Sequence, residues 1–461
     1  MKTVRLFIVL IICISAHEAT SQLTFEKKEY SARREKLMDL IPDGIAIISG
    51  ASVPLGNGTF QQYNNMMYFA GVGIPDVILV MDGEKRESTL FFTIDEQVAD
   101  GENIPLDLVR DPVSITGVEN YLPYDSFSGF LKDRLSGKST IVYTPFSPEE
   151  LIGECSGEKF NKYRSSVTEN EWDGRLTPEW QFAGILKERF PDSQIQDCSP
   201  EIWKLRKIKS EAEIDVLRES SRLGVEAHKA VMQKTKPGIT ELELAALFEY
   251  TCRKNGAEGL AFSTIIMSAE HHAYGHYAQY DRTLQDGDFV ILDAGPDVKD
   301  YDADISTTFP VNGKFSGKQK ELYEFALMIR KICLENYRPG VTLAQVGAAV
   351  EKKLKEQGYD TGEKKFSGYI RNGGYNHSIG MAVHDKMDAF TREEPLQNGF
   401  VFACDIMAKA DSVTGVRIED TVAITKNGCE VLSAGLPRTV KEMEVFMKKN
   451  KKPQSSDWRL K

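Results

Sequence analysis

Cysteine is scarce in this chain, with seven among 461 residues. Cys13 lies in an N-terminal apolar run. Cys155, Cys198, Cys252, Cys333, Cys404 and Cys429 are spread without close pairing or metal-ligand spacing. A disulfide scaffold is thereby excluded, and which of the six pair in an exported chain is left open by their spacing. Clustered positive charge is short as well. The formal net charge is -11, and the only basic cluster is the C-terminal "MKKNKKPQSSDWRLK", a solvated end. Such a balance gives no nucleic-acid footprint. Beyond the first residues no apolar run is long enough to cross a bilayer, so stable membrane insertion is not expected. A His-Glu-x-x-His helix is missing too, although His271, His272 and His276 lie close together.

What is present is an ordinary globular composition, 41% hydrophobic and 10% aromatic, at a length suited to roughly two or three domains. Lys2 and Arg5 precede "LFIVLIICISA" and the polar "HEATSQ". That is the layout of a secretory signal peptide over residues 1–22, cleaved after Ala19-Thr20-Ser21. Ile12 is bulky where lipid attachment at Cys13 wants a small residue, which favours simple cleavage over a lipid anchor. An exported protein, periplasmic or extracellular, is expected. Residues 23–198 alternate short apolar runs with helical stretches. "GIAIISG", "DVILVMDG", "STLFFTID" and "STIVYTPF" read as strands of an N-terminal α/β domain. A long amphipathic helix is expected over "EIWKLRKIKSEAEIDVLRESSRLGVEAHKAV". It opens a second domain at 199–447, and 448–461 is the basic tail.

The second domain contains an internal repeat. "KPGITELELAALFEY" matches "RPGVTLAQVGAAVEK", and Thr240 with Glu243, like Thr342 with Gln345, has capping-box spacing. Further on, "LQDGDFVILDAG" matches "LQNGFVFACDIM", with Gly287 six residues before Asp293 and Gly399 six before Asp405. Strand alternation then aims both carboxylates in equivalent directions. Each strand leads to a second acid, Asp304 in "YDADISTTFPV" and Glu419 in "GVRIEDTVAIT". Two helix–helix–hairpin halves folded about a pseudo-two-fold would gather four acids, which is costly unless cations neutralise them. Divalent metals do so, and "GGYNHSIGMAVHD" offers His377 and His384 as further donors. One imidazole among carboxylates is a largely hard ligand set, suited to Mn²⁺, Co²⁺ or Fe²⁺, and Zn²⁺ would also fit.

Taken in order, Asp293, Asp304, His377, Asp405 and Glu419 resemble the ligand set of the pita-bread dinuclear metallopeptidases. "ILDAG", "ADISTTFPVNGKF", "NHSIGMAVHD" and "GVRIEDTVAIT" are most similar to the Xaa-Pro aminopeptidase (aminopeptidase P) and prolidase branch. The similarity is good over about residues 200 to 445 and weaker in the N-terminal domain. It implies an α/β (α+β) fold, a C-terminal pita-bread domain behind a smaller α/β domain. It also implies two divalent metal ions, Mn²⁺ first among the candidates. Asp293 would chelate one metal, His377 and Asp405 the other, and Asp304 and Glu419 would bridge both. A hydroxide between them would attack the peptide carbonyl. His276 would help hold substrate, His384 would stand near the carbonyl oxygen, and Arg417 would fix a ligand carboxylate. The implied substrates are short peptides with proline second, and the implied assembly is a homodimer.

Two positions depart from the family pattern. Asp405 stands where the family carries glutamate, and Thr307 where it carries arginine. Asp is shorter by one methylene, roughly 1.5 Å of reach, against metal–oxygen distances that tolerate only about ±0.2 Å. In the family that glutamate also handles the proton of the attacking water, so the shortening bears on catalysis more than on metal binding. Two other uses of the scaffold therefore stay open. One is a creatinase-like hydrolase acting on a small amidino compound; the other is a peptide- or metal-binding homologue with impaired catalysis. Elsewhere, Asp297, Asp300 and Asp302 in the turn-rich "GPDVKDYD" are expected in a turn or solvent. His271 and His272 are expected to face solvent or substrate, and Cys404 is expected in the core. Asn57-Gly58-Thr59 matches a glycosylation sequon.

Overall fold

The computed structural model describes residues 23–449 apart from 54–59, 103, 136–139, 155–158, 160–161, 163–171, 173, 362–369, 371 and 386–390. The segment expected to be a signal peptide, the sequon match at Asn57-Gly58-Thr59, Cys155 and nearly all of the basic tail lie outside the described residues.

The apolar runs of the N-terminal region form strands β1 (Gly44–Ser49), β2 (Ile78–Asp82), β3 (Glu87–Phe91) and β5 (Ile141–Thr144). With β4 (Asn120–Leu122) and β6 (Gln194–Asp197) they make a six-stranded mixed sheet of order β4-β3-β2-β1-β5-β6. The run expected as one long helix is two, Ser199–Lys207 and Glu211–Lys234. The break has a local cause. Ser210 and Glu213 form a capping box that starts the second helix, and the Lys209 N–H donates to the Gly399 carbonyl at 2.8 Å instead of continuing the first.

The second half has the duplicated plan. Helices Glu211–Lys234 and Glu241–Lys254 correspond to Gly317–Asn336 and Leu343–Glu356, and Thr240 and Thr342 both close their capping boxes. The strands here are β7 (Gly259–Leu260), β8 (Ile265–Ser268), β9 (Phe289–Asp293), β10 (Pro296–Val298), β11 (Tyr301–Asp302), β12 (Ser306–Pro310), β13 (Val401–Lys409), β14 (Gly415–Ile424) and β15 (Cys429–Val431). The main sheet runs β13-β14-β12-β9-β8, with β15 on β14. Val290, Leu292, Phe402, Cys404, Ile418 and Val422 point into the core shared with the helices. Their alternating neighbours Asp293, Asp405 and Glu419 are therefore forced onto the opposite face. Cys404 lies in the core as expected.

Asp297 and Asp302 are neither in the turn nor in solvent. Lys299 and Asp300, at φ 54° and 62°, take the turn itself, which makes Asp297 and Asp302 a facing pair on β10 and β11, each 1% exposed. The loop at Gly380 covers them, its carbonyl accepting from the Asp302 N–H at 2.8 Å. Burial pushes the Asp297 carboxyl up to about 8. The two domains also share a core, since Ile379, Met381, Val401 and Ala403 pack with Tyr30, Phe69 and Leu79 of the N-terminal region.

Candidate metal centre

Strand register builds the acid row. Asp405 on β13 is opposite Glu419 on β14, Glu419 is opposite Ser306 on β12, and Ser306 is opposite Asp293 on β9. Antiparallel partners in register share a face, so all four side chains point one way. The Ser306 hydroxyl donates to Glu419 Oε2 at 2.7 Å. Asp304 enters from the segment before β12. Its N–H donates to Thr421 Oγ1 at 3.1 Å, and that hydroxyl donates back to its carbonyl at 2.9 Å. His377 arrives on a loop tied to β13, where the Ala403 N–H donates to its carbonyl at 2.9 Å. Its Nε2 stands 3.4 Å from Asp304 Oδ2 and 3.6 Å from Glu419 Oε1.

Among the described residues three groups of donor atoms close to within 4.8 Å of one another, two of them here: Asp293, Asp304 and Glu419, and Asp304, His377 and His384; the third, Glu241, His271 and Asp281, lies elsewhere. The His377 and His384 rings are 4.3 Å apart, and His384 is half-buried. Asp405 is in neither group. The Arg417 guanidinium holds it at 2.9 Å, pairs also with Asp293, and lies 3.6 Å from Glu419. His276 is exposed, in the segment after the short helix Ala269–Ala273, and it too lies outside both groups. Tyr375 exchanges backbone hydrogen bonds with Asp405, and Gly374, at φ 98°, lets that loop pass against the strand.

The residues present fit divalent cations. Asp293 Oδ1, Asp304 Oδ1, Asp405 Oδ1, Glu419 Oε1 and both ring nitrogens of His377 are buried without a hydrogen-bond partner. Orphaned buried polar atoms are rare and each asks for a ligand. At this site the unpartnered acceptor and ring atoms belong to the five side chains singled out in the sequence, with Arg417 Nε beside them; Asp297 and Asp302 carry others outside it. Charge tells the same story, because one guanidinium faces four carboxyls. Burial pushes Asp293 well up against the pull of Arg417, raises Asp304 to about 6 with help from Glu419, and raises Asp405 to about 7. Burial opposes ionisation of Glu419 as well, yet Arg417 and His377 hold it at about 2. Against the cost of its own burial, His377 is raised to about 10 by the Asp304 and Glu419 carboxylates, 3.4 Å and 3.6 Å from Nε2.

Several placements differ from expectation. His271 and His272 are buried. His271 meets the Glu241 carboxylate at 3.0 Å and stacks on Tyr277 at 3.8 Å. His272 Nδ1 accepts from the Gly415 N–H at 2.9 Å, so its Nε2 carries the hydrogen given to the Met267 carbonyl. Both rings serve the edge of the sheet, which no local sequence signal indicates. Thr307 is also buried, 2.9 Å from His228 Nδ1. Ser306, Thr421 and Tyr375 were not singled out from sequence; only the strand pairing reveals their part.

The chain matches two family descriptions: metallopeptidase family M24 over residues 215–426, and the aminopeptidase P N-terminal domain over residues 30–143. It is 31% identical to an Xaa-Pro dipeptidase of Pyrococcus horikoshii over 307 residues, covering 65% of this chain and 85% of that one. It is 26% identical to the Xaa-Pro aminopeptidase of Escherichia coli, covering 91% of this chain and 98% of that one. A structure described as a candidate aminopeptidase P from Bacillus anthracis superposes with a TM-score of 0.79 at 28% identity, over 92% of this chain and 99% of that one. The mixed α/β architecture with a C-terminal pita-bread domain is thus the observed one.

Proposed function

This chain belongs to metallopeptidase family M24, a hydrolase of Xaa-Pro aminopeptidase type, and on that premise we propose that it is an exported, dinuclear enzyme removing the residue that precedes proline. The observation that carries this is the set of orphaned donor atoms on Asp293, Asp304, His377, Asp405 and Glu419, buried on one patch. Asp293 would hold one cation, His377 and Asp405 the second, and Asp304 and Glu419 would serve both. Mn²⁺ suits this hard set first, with Co²⁺, Zn²⁺ or Fe²⁺ as alternatives. Bound there, the cations would supply the missing positive charge, acidify a water and polarise the scissile carbonyl.

The chain's own groups do the rest. Arg417 holds Asp293 and Asp405 in register through its two Nη atoms. Asp405, whose Oδ1 has no hydrogen-bond partner while Oδ2 is held by Arg417, is the carboxylate placed to take the proton of the attacking water. His384, beside the His377 ring, donates to the carbonyl oxygen as charge develops on it. His276 contacts the peptide from the exposed segment beyond Ala273. The signal-peptide layout supports export, and a homodimer is the expected assembly.

One observation favours a second use. Asp405 stands outside both donor groups, in the grip of Arg417, as it would in a binding homologue with impaired catalysis. Release of the first residue from Arg-Pro-Pro, by metal-stripped protein and by protein given Mn²⁺, separates the two. Mn²⁺-dependent release supports the peptidase. Silence under Mn²⁺, Co²⁺ and Zn²⁺ leaves the binding protein, or, if creatine is turned over without metal, the creatinase-like hydrolase.

A further inference from the structure

A second cluster of buried charge lies behind the histidine loop, outside the acid row. Arg206, on helix Ser199–Lys207, reaches Glu150 at 2.6 Å, Asp385 at 2.8 Å and Asn65 Oδ1 at 3.0 Å. Lys209 reaches the other oxygen of Asp385 at 3.3 Å and Ser378 Oγ at 3.5 Å. The four charged side chains are each 1% exposed, and two cations face two anions. Asp385 directly follows His384, and Ser378 directly follows His377. The Asp385 N–H donates to the Ser378 carbonyl at 2.9 Å, closing the loop that carries both rings. Gly380 allows the closure, because a Cβ there would stand 2.1 Å from Asp385 Oδ2 and 2.9 Å from Lys209 Nζ. Asn64 adds a direct tie, its amide donating to the Met381 carbonyl at 2.5 Å. Asn64, Asn65 and Glu150 belong to the N-terminal domain.

We propose that Glu150 and Asn65 of the N-terminal domain, gripping Arg206, form with Lys209 and Asp385 an interdomain latch that positions His377 and His384. Buried ion networks add little net stability against their own desolvation, whereas they hold geometry tightly because every departure strands a charge. Arg206, Lys209 and Asp385 are positioning residues, touching neither substrate nor metal. What the two histidines do rests on the peptidase reading above; the latch itself does not.

The test compares full-length wild type with Asp385→Asn, which keeps shape and removes charge. Three readouts are taken: hydrogen exchange of residues 377–385 in metal-free protein, Co²⁺ affinity with the visible spectrum of the bound ion, and the kcat and KM for Arg-Pro-Pro. The latch predicts faster exchange in that segment, Co²⁺ binding weakened about 10- to 100-fold with an altered spectrum, and a fall carried by kcat rather than KM. Wild-type exchange, affinity and spectrum in a variant that only melts earlier would overturn it. Lys209→Met and Asn64→Ala repeat the comparison if Asp385→Asn does not fold, and unchanged exchange in both would count equally against the latch. If wild type itself leaves Arg-Pro-Pro intact, the peptidase reading fails while exchange and Co²⁺ binding still judge the latch.

Discussion

Gly374→Ala is the sharpest perturbation of Asp405 that leaves the carboxylate in place. Gly374 sits at φ 98°, and a Cβ added there would lie 2.4 Å from the Asp405 carbonyl oxygen and 2.7 Å from Ile406 Cδ1. Ordinary contact begins near 3.4 Å, so loop and strand must part by about 1 Å. The adjacent backbone pair, Tyr375 N–H to the Asp405 carbonyl at 2.8 Å, moves with them. Asp405 already has a short side chain, and a misplacement of 1 Å at a reacting group costs about 100-fold in rate. The left-handed backbone adds roughly 1–3 kcal/mol of strain in the folded state. The expected result for Mn²⁺-loaded protein at 20 °C, where the variant is still folded, is a kcat on Arg-Pro-Pro lower by about 100-fold. Circular dichroism and the melting temperature, measured together, separate misplacement from unfolding. A variant that melts earlier yet keeps kcat within about threefold of wild type would refute the claim that Asp405 does chemistry where it stands.

Asp405→Asn is expected to lower kcat by about 10²–10⁴-fold with little change in far-ultraviolet circular dichroism, the range for losing a general base. Metal removal should make stability pH-dependent in a defined direction. Asp304 at about 6 and Asp405 at about 7 lie above their unfolded values near 4, so the metal-free fold binds extra protons and loses stability as pH rises through that window. Urea midpoints in EDTA should therefore fall between pH 5 and 8, and saturating Mn²⁺ should make the fall shallower, leaving the share due to Asp297 and Asp300. Asp420→Asn tests a buried charge of β14 outside the acid row. Asp420 is fully buried between Arg330 and Arg438 and accepts from Ser433 Oγ at 2.8 Å, and stranding both arginines should cost about 3–5 kcal/mol at pH 7. Burial opposes its charge, but the two arginines hold it at about 2. Its stabilisation is present above about pH 4 and lost as pH falls through 2, so the deficit of Asp420→Asn, read from urea midpoints, should shrink in acid.

Local pattern and charge chemistry carried a large part of this protein. Four N-terminal strands and the two capping boxes that open the repeat helices follow from alternation and cap spacing. These are short-range effects that a few neighbouring residues decide. The helix break at Ser210 was also written locally, in a capping box hidden inside an amphipathic run. Other features came only with the tertiary structure. Asp297 and Asp302 look like turn residues until a two-residue turn and the loop at Gly380 bury them. Asp405 has the strand register of a ligand, yet the length of one methylene and the reach of Arg417 across β14 set where its carboxylate rests. The Arg206–Asp385–Lys209 network joins residues nearly 180 positions apart, with Asp385 lying 179 residues beyond Arg206. Sequence by itself determined which groups this chain can bring to a metal. Only the packing of one domain against the other decided how firmly they are held, because burial, charge balance and close approach depend on neighbours far away along the chain.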